Sequence, residues 1–179
     1  MELRKTKIEG LIELFPRIFK DDRGFFLETY SVKAFKELGL DYSFIQDNQS
    51  FSKKGVVRGL HFQNAPFAQG KLVRVVSGKA LDIAVDIRPN SPTFGQWESF
   101  LLDAELSNMV YVPEGFAHGF SVLEDCVFSY KCTNVYDKAS ESGLLWNDPE
   151  LKIDWQVSNP NVSEKDAILP TLATLFPNR

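Results

Sequence analysis

The run from Leu81 to Ile87 constrains the fold more than any other stretch. Leu81, Ile83, Val85 and Ile87 alternate with Asp82, Ala84 and Asp86, a two-residue period that an extended strand turns into two distinct faces. Arg88-Pro89-Asn90-Ser91-Pro92 then ends it with turn chemistry. From Phe44 onward almost everything reads as strand, over Val56–Gln63, 71–76, 94–102, Met109–Val112 and 126–135. Upstream, short strands flank a turn at Asp21-Asp22-Arg23-Gly24. One helix stands out. Ser31 suits its N-cap, Val32, Phe35 and Leu38 recur at three-residue intervals, and Gly39 sits where a left-handed residue is wanted. A polar loop (137–143), a Trp/Pro-rich stretch and a short helix starting near Ser163 close the chain. Short strands with turns about every 8–12 residues predict an all-β chain with short helices, a sandwich or barrel with the jelly roll among the options.

Composition narrows the class further. At 20.3 kDa the chain is expected to form one domain with a proper core, and fifteen Phe suit a tightly filled β interior. A net charge of −4 without a long basic run argues against nucleic-acid or membrane-surface binding. Met1-Glu2-Leu3-Arg4-Lys5 lacks the apolar core of a signal peptide and no segment reaches bilayer length, so the expected location is the cytoplasm. Cys126 and Cys132 lie too far apart on one strand for a local disulfide and lack zinc-site spacing, which predicts buried free thiols. No repeat or linker divides the chain.

Chemistry concentrates in Arg58-Gly59-Leu60-His61-Phe62-Gln63 and the following Gln69-Gly70-Lys71-Leu72-Val73-Arg74. Strict alternation puts His61 on one face with Val57, Gly59 and Gln63. The next strand returns after a short Pro/Gly turn and brings Lys71 toward the imidazole. A base and a cation on neighbouring strands suit carbanion chemistry; a core histidine satisfying hydrogen bonds is the plainer reading. The other histidine, His118, stands at the exit of a turn, Pro113-Glu114-Gly115-Phe116-Ala117-His118. A metal-binding barrel of this kind wants a second histidine two residues beyond the first; Gln63 occupies that slot, so no metal and no cofactor are expected. Metal-free proton transfer needs a base, a cation for the oxyanion and an opposing acid. His61, Lys71 and Tyr130 match these needs, Tyr130 sharing a face with Phe128 and Cys132. Tyr130 reads equally as a core tyrosine tied to backbone. Asp166 either pairs with the histidine or completes a capping box in Ser163-Glu164-Lys165-Asp166.

Taken together these stretches resemble one family. Asp22-Arg23-Gly24-Phe25-Phe26, Gln46-Asp47-Asn48, the two runs around His61 and Lys71, 86–95, 112–120, Tyr130-Lys131-Cys132-Thr133, Trp146-Asn147-Asp148-Pro149 and Ser163-Glu164-Lys165-Asp166 follow in order along nearly the whole chain. They are similar to the dTDP-4-dehydrorhamnose 3,5-epimerase family, metal-free cupin-like enzymes of nucleotide-sugar metabolism. Asp103-Ala104-Glu105-Leu106 departs from the family pattern, outside the expected site. The resemblance implies a cupin-like jelly roll spanning residues 1–179. It implies His61 as general base, Asp166 as the carboxylate that orients it, Tyr130 as opposing acid and Lys71 as enolate stabiliser. His118 is implied beside the sugar, and Arg23, Glu28, Gln46, Asn48, Arg58, Glu141 and Lys165 around the nucleotide and its diphosphate. Tyr136 is implied to stack on thymine. It further implies a homodimer in which an N-terminal segment, with Arg23 and Phe26, completes the neighbour's site. The implied substrate is a dTDP-sugar, dTDP-4-dehydro-6-deoxy-D-glucose, inverted at C3 and C5; inversion of one carbon or a ketone shift on a related sugar nucleotide is the alternative.

Overall fold

The structure, a computed structural model, describes residues 1–178. Its elements run β1 (Glu2–Lys5), β2 (Ile12–Phe15), β3 (Ile18–Asp21), β4 (Gly24–Leu27), α1 (Val32–Glu37), β5 (Gln46–Ser52), β6 (Val56–Gln63) and β7 (Lys71–Asp86). They continue with β8 (Trp97–Asp103), β9 (Met109–Val112), β10 (Phe116–Cys132), β11 (Glu141–Gly143), β12 (Asn161–Val162), α2 (Glu164–Ala167) and α3 (Leu172–Leu175). The chain is mostly antiparallel strand with a few short helices.

Two long strands organise the rest. β7 and β10 pair antiparallel along their length, from Lys71 opposite Cys132 to Asp86 opposite Phe116. Each bends midway and changes its outer neighbour there. The first half of β7 pairs with β9 and the second with β8; the second half of β10 pairs with β5 and the first with β6. Two faces result, β1-β2-β9-β7-β10-β5 and β8-β7-β10-β6-β11, continuous through the bent pair. β12 adds to β6 in parallel.

The bend has a local cause. Gly78 has φ +75°, and a Cβ there would meet the Asp125 carbonyl oxygen at 2.1 Å, an approach only glycine permits. The β7–β10 register shifts at this level. Residues 71–76 and 81–87, expected as two strands, are therefore one: the glycine interrupts the apolar pattern without ending the ladder. β10 likewise fuses the stretch after Gly115 with the expected strand from Cys126, so His118 lies inside a strand and not at the exit of a turn. β10 also separates β6 from β7, which are not neighbours. Part of the expected polar loop is strand β11, on the outer edge of β6.

Core packing explains the alternation at Leu81–Ile87. Leu81, Ile83, Val85 and Ile87 face outward under a C-terminal cover formed by Leu144, Leu151, Trp155 and Leu172. Ala80 and Ala84 face inward with Phe100, Phe116, Phe120 and Phe128. Asp82 and Asp86 share that inward parity and are fully buried, so the polar positions of this strand point into the sandwich. A third cluster under α1 covers the other sheet, with Phe35, Leu14, Leu72 and Tyr111 buried. The Ser31 hydroxyl caps α1 by accepting from the Ala34 N–H at 3.3 Å, and Gly39 takes φ +77° beyond its end. Cys126 and Cys132 are free and buried. The β3–β4 hairpin stands apart as its own two-stranded sheet, with Phe25 64% and Phe26 69% exposed.

Candidate active site

A cavity of about 540 Å³ opens between the two faces, lined by Arg58, His61, Lys71, His118, Tyr130, Lys165 and Asp166 among others. A smaller recess of about 290 Å³ shares His61, Lys71 and Tyr130 with it and adds Gln46, Asn48, Tyr136 and Glu141. β12 delivers Asp166. Its parallel pairing with Val56 and Val57 lays Ser163 and α2 over β6. The Ser163 hydroxyl accepts from the Asp166 N–H at 3.1 Å, which is the helix cap. The carboxylate of Asp166 does not return to close a capping box. Its Oδ1 lies 2.7 Å from His61 Nε2, and its Oδ2 accepts from the Gly59 N–H at 3.2 Å. The pairing with the histidine is the reading that holds, and of the capping box only the Ser163 cap is present. Burial pushes the Asp166 carboxyl upward, but the His61 contact, the Gly59 N–H and Ser163 outweigh it and keep the carboxyl below its ordinary value. With that carboxylate ionised, the imidazole proton sits on Nε2 and the basic lone pair on Nδ1. Asp166 is buried while the His61 side chain keeps 32% exposure toward the cavity.

The expected parity around His61 is corrected by a bulge. His61 opposes His118, but Arg58 opposes Phe120, so three residues of β6 span two of β10. Gly59 makes room for this, since a Cβ there would stand 2.6 Å from Gly119 Cα. Arg58 consequently joins His61 on the cavity, while Val57 and Leu60 are buried in the outer core cluster. The Arg58 Nε donates to the Ser52 hydroxyl at 2.9 Å.

Lys71 opens β7, and among the described residues its ammonium makes no ion pair. Burial lowers its pKa, opposed by Cys132, Asp82 and Glu141. Tyr130 has the expected parity with buried Phe128 and Cys132, its ring 6.3 Å from that of Phe128. Among the described residues nothing hydrogen-bonds its hydroxyl, so it is not the backbone-tied core tyrosine of the alternative reading. Burial raises its pKa and Arg58 draws it partly back. In the recess the Tyr136 hydroxyl donates to Glu141 Oε2 at 3.1 Å, and Lys165 Nζ donates to Glu141 Oε1 at 2.7 Å. The Lys165 bond holds the Glu141 carboxyl below its ordinary value. The Gln46 amide donates to Asn48 Oδ1 at 3.1 Å.

Sequence reasoning missed Asp82. It lies 2.7 Å from His118 Nε2, is fully buried, and leaves Oδ2 without a partner. The available signal was a carboxylate between two alanines on a strand whose other face is wholly aliphatic. Ser50 and Asn161, also on the cavity wall, carried no signal. Arg23, Phe26 and Glu28 are not brought to this cavity within their own chain. Arg23 projects from the β3–β4 turn, paired among the described residues only with Asp21, at 2.6 Å, and Phe26 and Glu28 are exposed nearby. Among the described residues no three His, Cys, Asp or Glu side chains gather as a metal site; each histidine has one carboxylate of its own.

The family model for dTDP-4-dehydrorhamnose 3,5-epimerase matches residues 5–174. The chain belongs to the dTDP-4-dehydrorhamnose 3,5-epimerase family. A family relative from Shigella flexneri is 51% identical over 93% of both chains. The solved 3,5-epimerase of Elizabethkingia anophelis superposes with a TM-score of 0.92 at 47% identity, covering 97% of each chain. That of Legionella pneumophila, in complex with dTDP-4-keto-L-rhamnose, has a TM-score of 0.92 at 45% identity over 96% of this chain and 92% of the other. The cupin-like jelly roll of the epimerase family is thus the fold of this chain.

Proposed function

We propose that this cavity inverts C3 and C5 of dTDP-4-dehydro-6-deoxy-D-glucose, giving dTDP-4-dehydro-L-rhamnose. The observation that carries the reading is the buried Asp166 carboxylate 2.7 Å behind a cavity-facing His61, with Lys71 and Tyr130 on the same wall. The C4 ketone acidifies the hydrogens on C3 and C5. His61 Nδ1 takes the C3 proton, the C3–H electron pair becomes the enolate, and the Lys71 ammonium holds the charge on O4. The Tyr130 hydroxyl gives its proton to the opposite face of C3. Solvent then reprotonates the phenolate and removes the proton from His61, and the same cycle at C5 completes the product. Neither step requires a cofactor. Gln46, Asn48, Glu141, Lys165 and Arg58 take the nucleotide and diphosphate, with Tyr136 under the thymine; Arg and Lys offer the fork and point charges a diphosphate needs.

The working unit is a homodimer in this reading. Its support is the detached β3–β4 hairpin, which carries Arg23 and two exposed phenylalanines away from its own cavity. Such a patch suits burial against a second copy, which would place Arg23, Phe26 and Glu28 at the partner's nucleotide site. Two free buried thiols suit a reducing compartment, in line with a cytoplasmic enzyme. The test is product configuration. Incubation with the 4-keto sugar nucleotide, read by proton NMR, should yield the L-rhamno product inverted at both carbons. Inversion at one carbon alone would assign a monoepimerase, and an unchanged substrate would sink the reading.

A further inference from the structure

Gln63 occupies the position where a metal-binding barrel would carry a ligand, two residues beyond His61 on β6, and the mechanism above makes no use of it. It is largely buried, with 9% exposure, and its amide makes three hydrogen bonds. Nε2 donates to the Phe67 carbonyl at 2.5 Å and to the Val135 carbonyl at 3.1 Å. Oε1 accepts from the Asp137 N–H at 2.8 Å. Only this orientation satisfies two carbonyls and one N–H, so the network itself assigns the amide. Two of these partners flank Tyr136 on either side. The N–H of Tyr136 is held in turn by Gln46 Oε1 at 2.8 Å. Three successive residues of an exposed loop are thus gripped by two glutamine side chains from β5 and β6, while the Tyr136 ring remains 54% exposed. The third bond of Gln63 secures the 64–70 segment that leads into Lys71.

We infer that Gln63 is a positioning residue, fixing the Tyr136 platform at a set distance from the base His61 on the same strand. Two residues of strand span about 6.6 Å, and a rigid strand carries that spacing from the nucleoside end to the reacting end. Three bonds from a largely buried amide leave no cheap substitute, because each backbone group left unpaired carries its own desolvation cost. The inference rests on the reading that Tyr136 stacks on the base of a nucleotide.

Calorimetry with dTDP and with inorganic pyrophosphate, on wild type, Gln63→Met and Gln63→Glu, tests it. Loss of an ordered stacking surface should weaken dTDP binding about 10- to 100-fold in Gln63→Met, while pyrophosphate affinity changes by no more than about twofold. KM should rise far more than kcat falls. In Gln63→Glu the ionised carboxylate faces two carbonyls. Affinity for dTDP should be poor near about pH 8 and recover toward acid as the carboxyl regains one O–H donor. In a Tyr136→Ala background Gln63→Met should cost little more, as a double-mutant cycle requires of residues acting as one unit. Binding of dTDP within about twofold of wild type in either variant, or equal loss for dTDP and pyrophosphate, would overturn the inference. So would failure of both variants to fold, which would make Gln63 a requirement of the fold instead. Wild type that does not bind dTDP would overturn the functional reading itself.

Discussion

In the proposed mechanism Tyr130 gives the proton and Lys71 holds the charge, and each assignment has a measurable consequence. Removing the phenol in Tyr130→Phe leaves His61 and Lys71 able to form the enolate, so proton return shifts to the His61 side and restores the starting configuration. Deuterium exchange from D₂O should outlast inversion, with inversion falling about 10²–10⁴-fold; equal loss of both would remove Tyr130 from the acid role. Lys71 is held below its ordinary 10.5 by burial, with Cys132, Asp82 and Glu141 opposing, whereas burial holds the Tyr130 phenol above 10.0. As pH rises the ammonium therefore loses its proton earlier than an ordinary lysine, and the phenol keeps its own later than an ordinary tyrosine. The alkaline limb of kcat should lie below about pH 10.5 and should move upward in whatever activity Lys71→Arg retains, since a guanidinium stays charged. A limb unmoved by that substitution would assign it to another group. His61, Lys71, Tyr130 and Asp166, singled out in the sequence by their chemistry and the family motifs, meet on one cavity, although the parity expected around His61 and the adjacency expected of β6 and β7 do not hold. Asp82 was not singled out, because its partner His118 is 36 residues away.

At the scale of elements, the alternating strand ends in a device that couples charge to the turn. Asp86 accepts from Arg88 Nε at 2.9 Å and Nη2 at 2.7 Å, and from the hydroxyls of Ser91 at 2.5 Å and Thr93 at 2.6 Å. Burial pushes its carboxyl upward, but these bonds outweigh it and bring the pKa down from 3.8 to about 2. A depressed carboxyl contributes stability that is present above the unfolded value and lost as pH falls through the folded one. Its contribution is on the order of 2 kcal/mol. Asp86→Asn should be less stable by roughly that amount at neutral pH, and the gap should close as urea unfolding is repeated from about pH 4 down to about pH 2. A gap independent of pH would mean that the turn is held by shape and not by the charge. The sequence marked this turn and the strand before it, but divided the strand at Gly78. A glycine kink and a turn have the same local signature; only the pairing with β10 on both sides of the glycine distinguishes them. Likewise the bulge at Gly59, which brings Arg58 onto the cavity face with His61, depends on the close approach of Gly119 from another strand.

At the scale of the whole molecule, strand length and turn spacing made the all-β class readable and left the jelly roll among the options, which the family resemblance then singled out. Which strands neighbour which was not readable, because pairing is settled by long-range contacts that local pattern does not encode. The hairpin bearing Arg23 makes the strongest statement at this scale. If each hairpin serves the partner's cavity, Arg23→Ala and His61→Ala chains should each be nearly inactive alone. Co-expressed, they should recover up to about a quarter of wild-type activity, since half of random dimers are mixed and each mixed dimer holds one intact site. No recovery would place Arg23 in its own chain's site or outside it. The central claim is that one cavity, with one base, serves both carbons. It is tested most directly by incubating wild type and His61→Ala with the 4-keto sugar nucleotide in D₂O and counting deuterium at C3 and C5 by NMR. Wild type should incorporate deuterium at both carbons and His61→Ala, folded as wild type, at neither; exchange persisting at either carbon in the variant would show a second base and contradict the account.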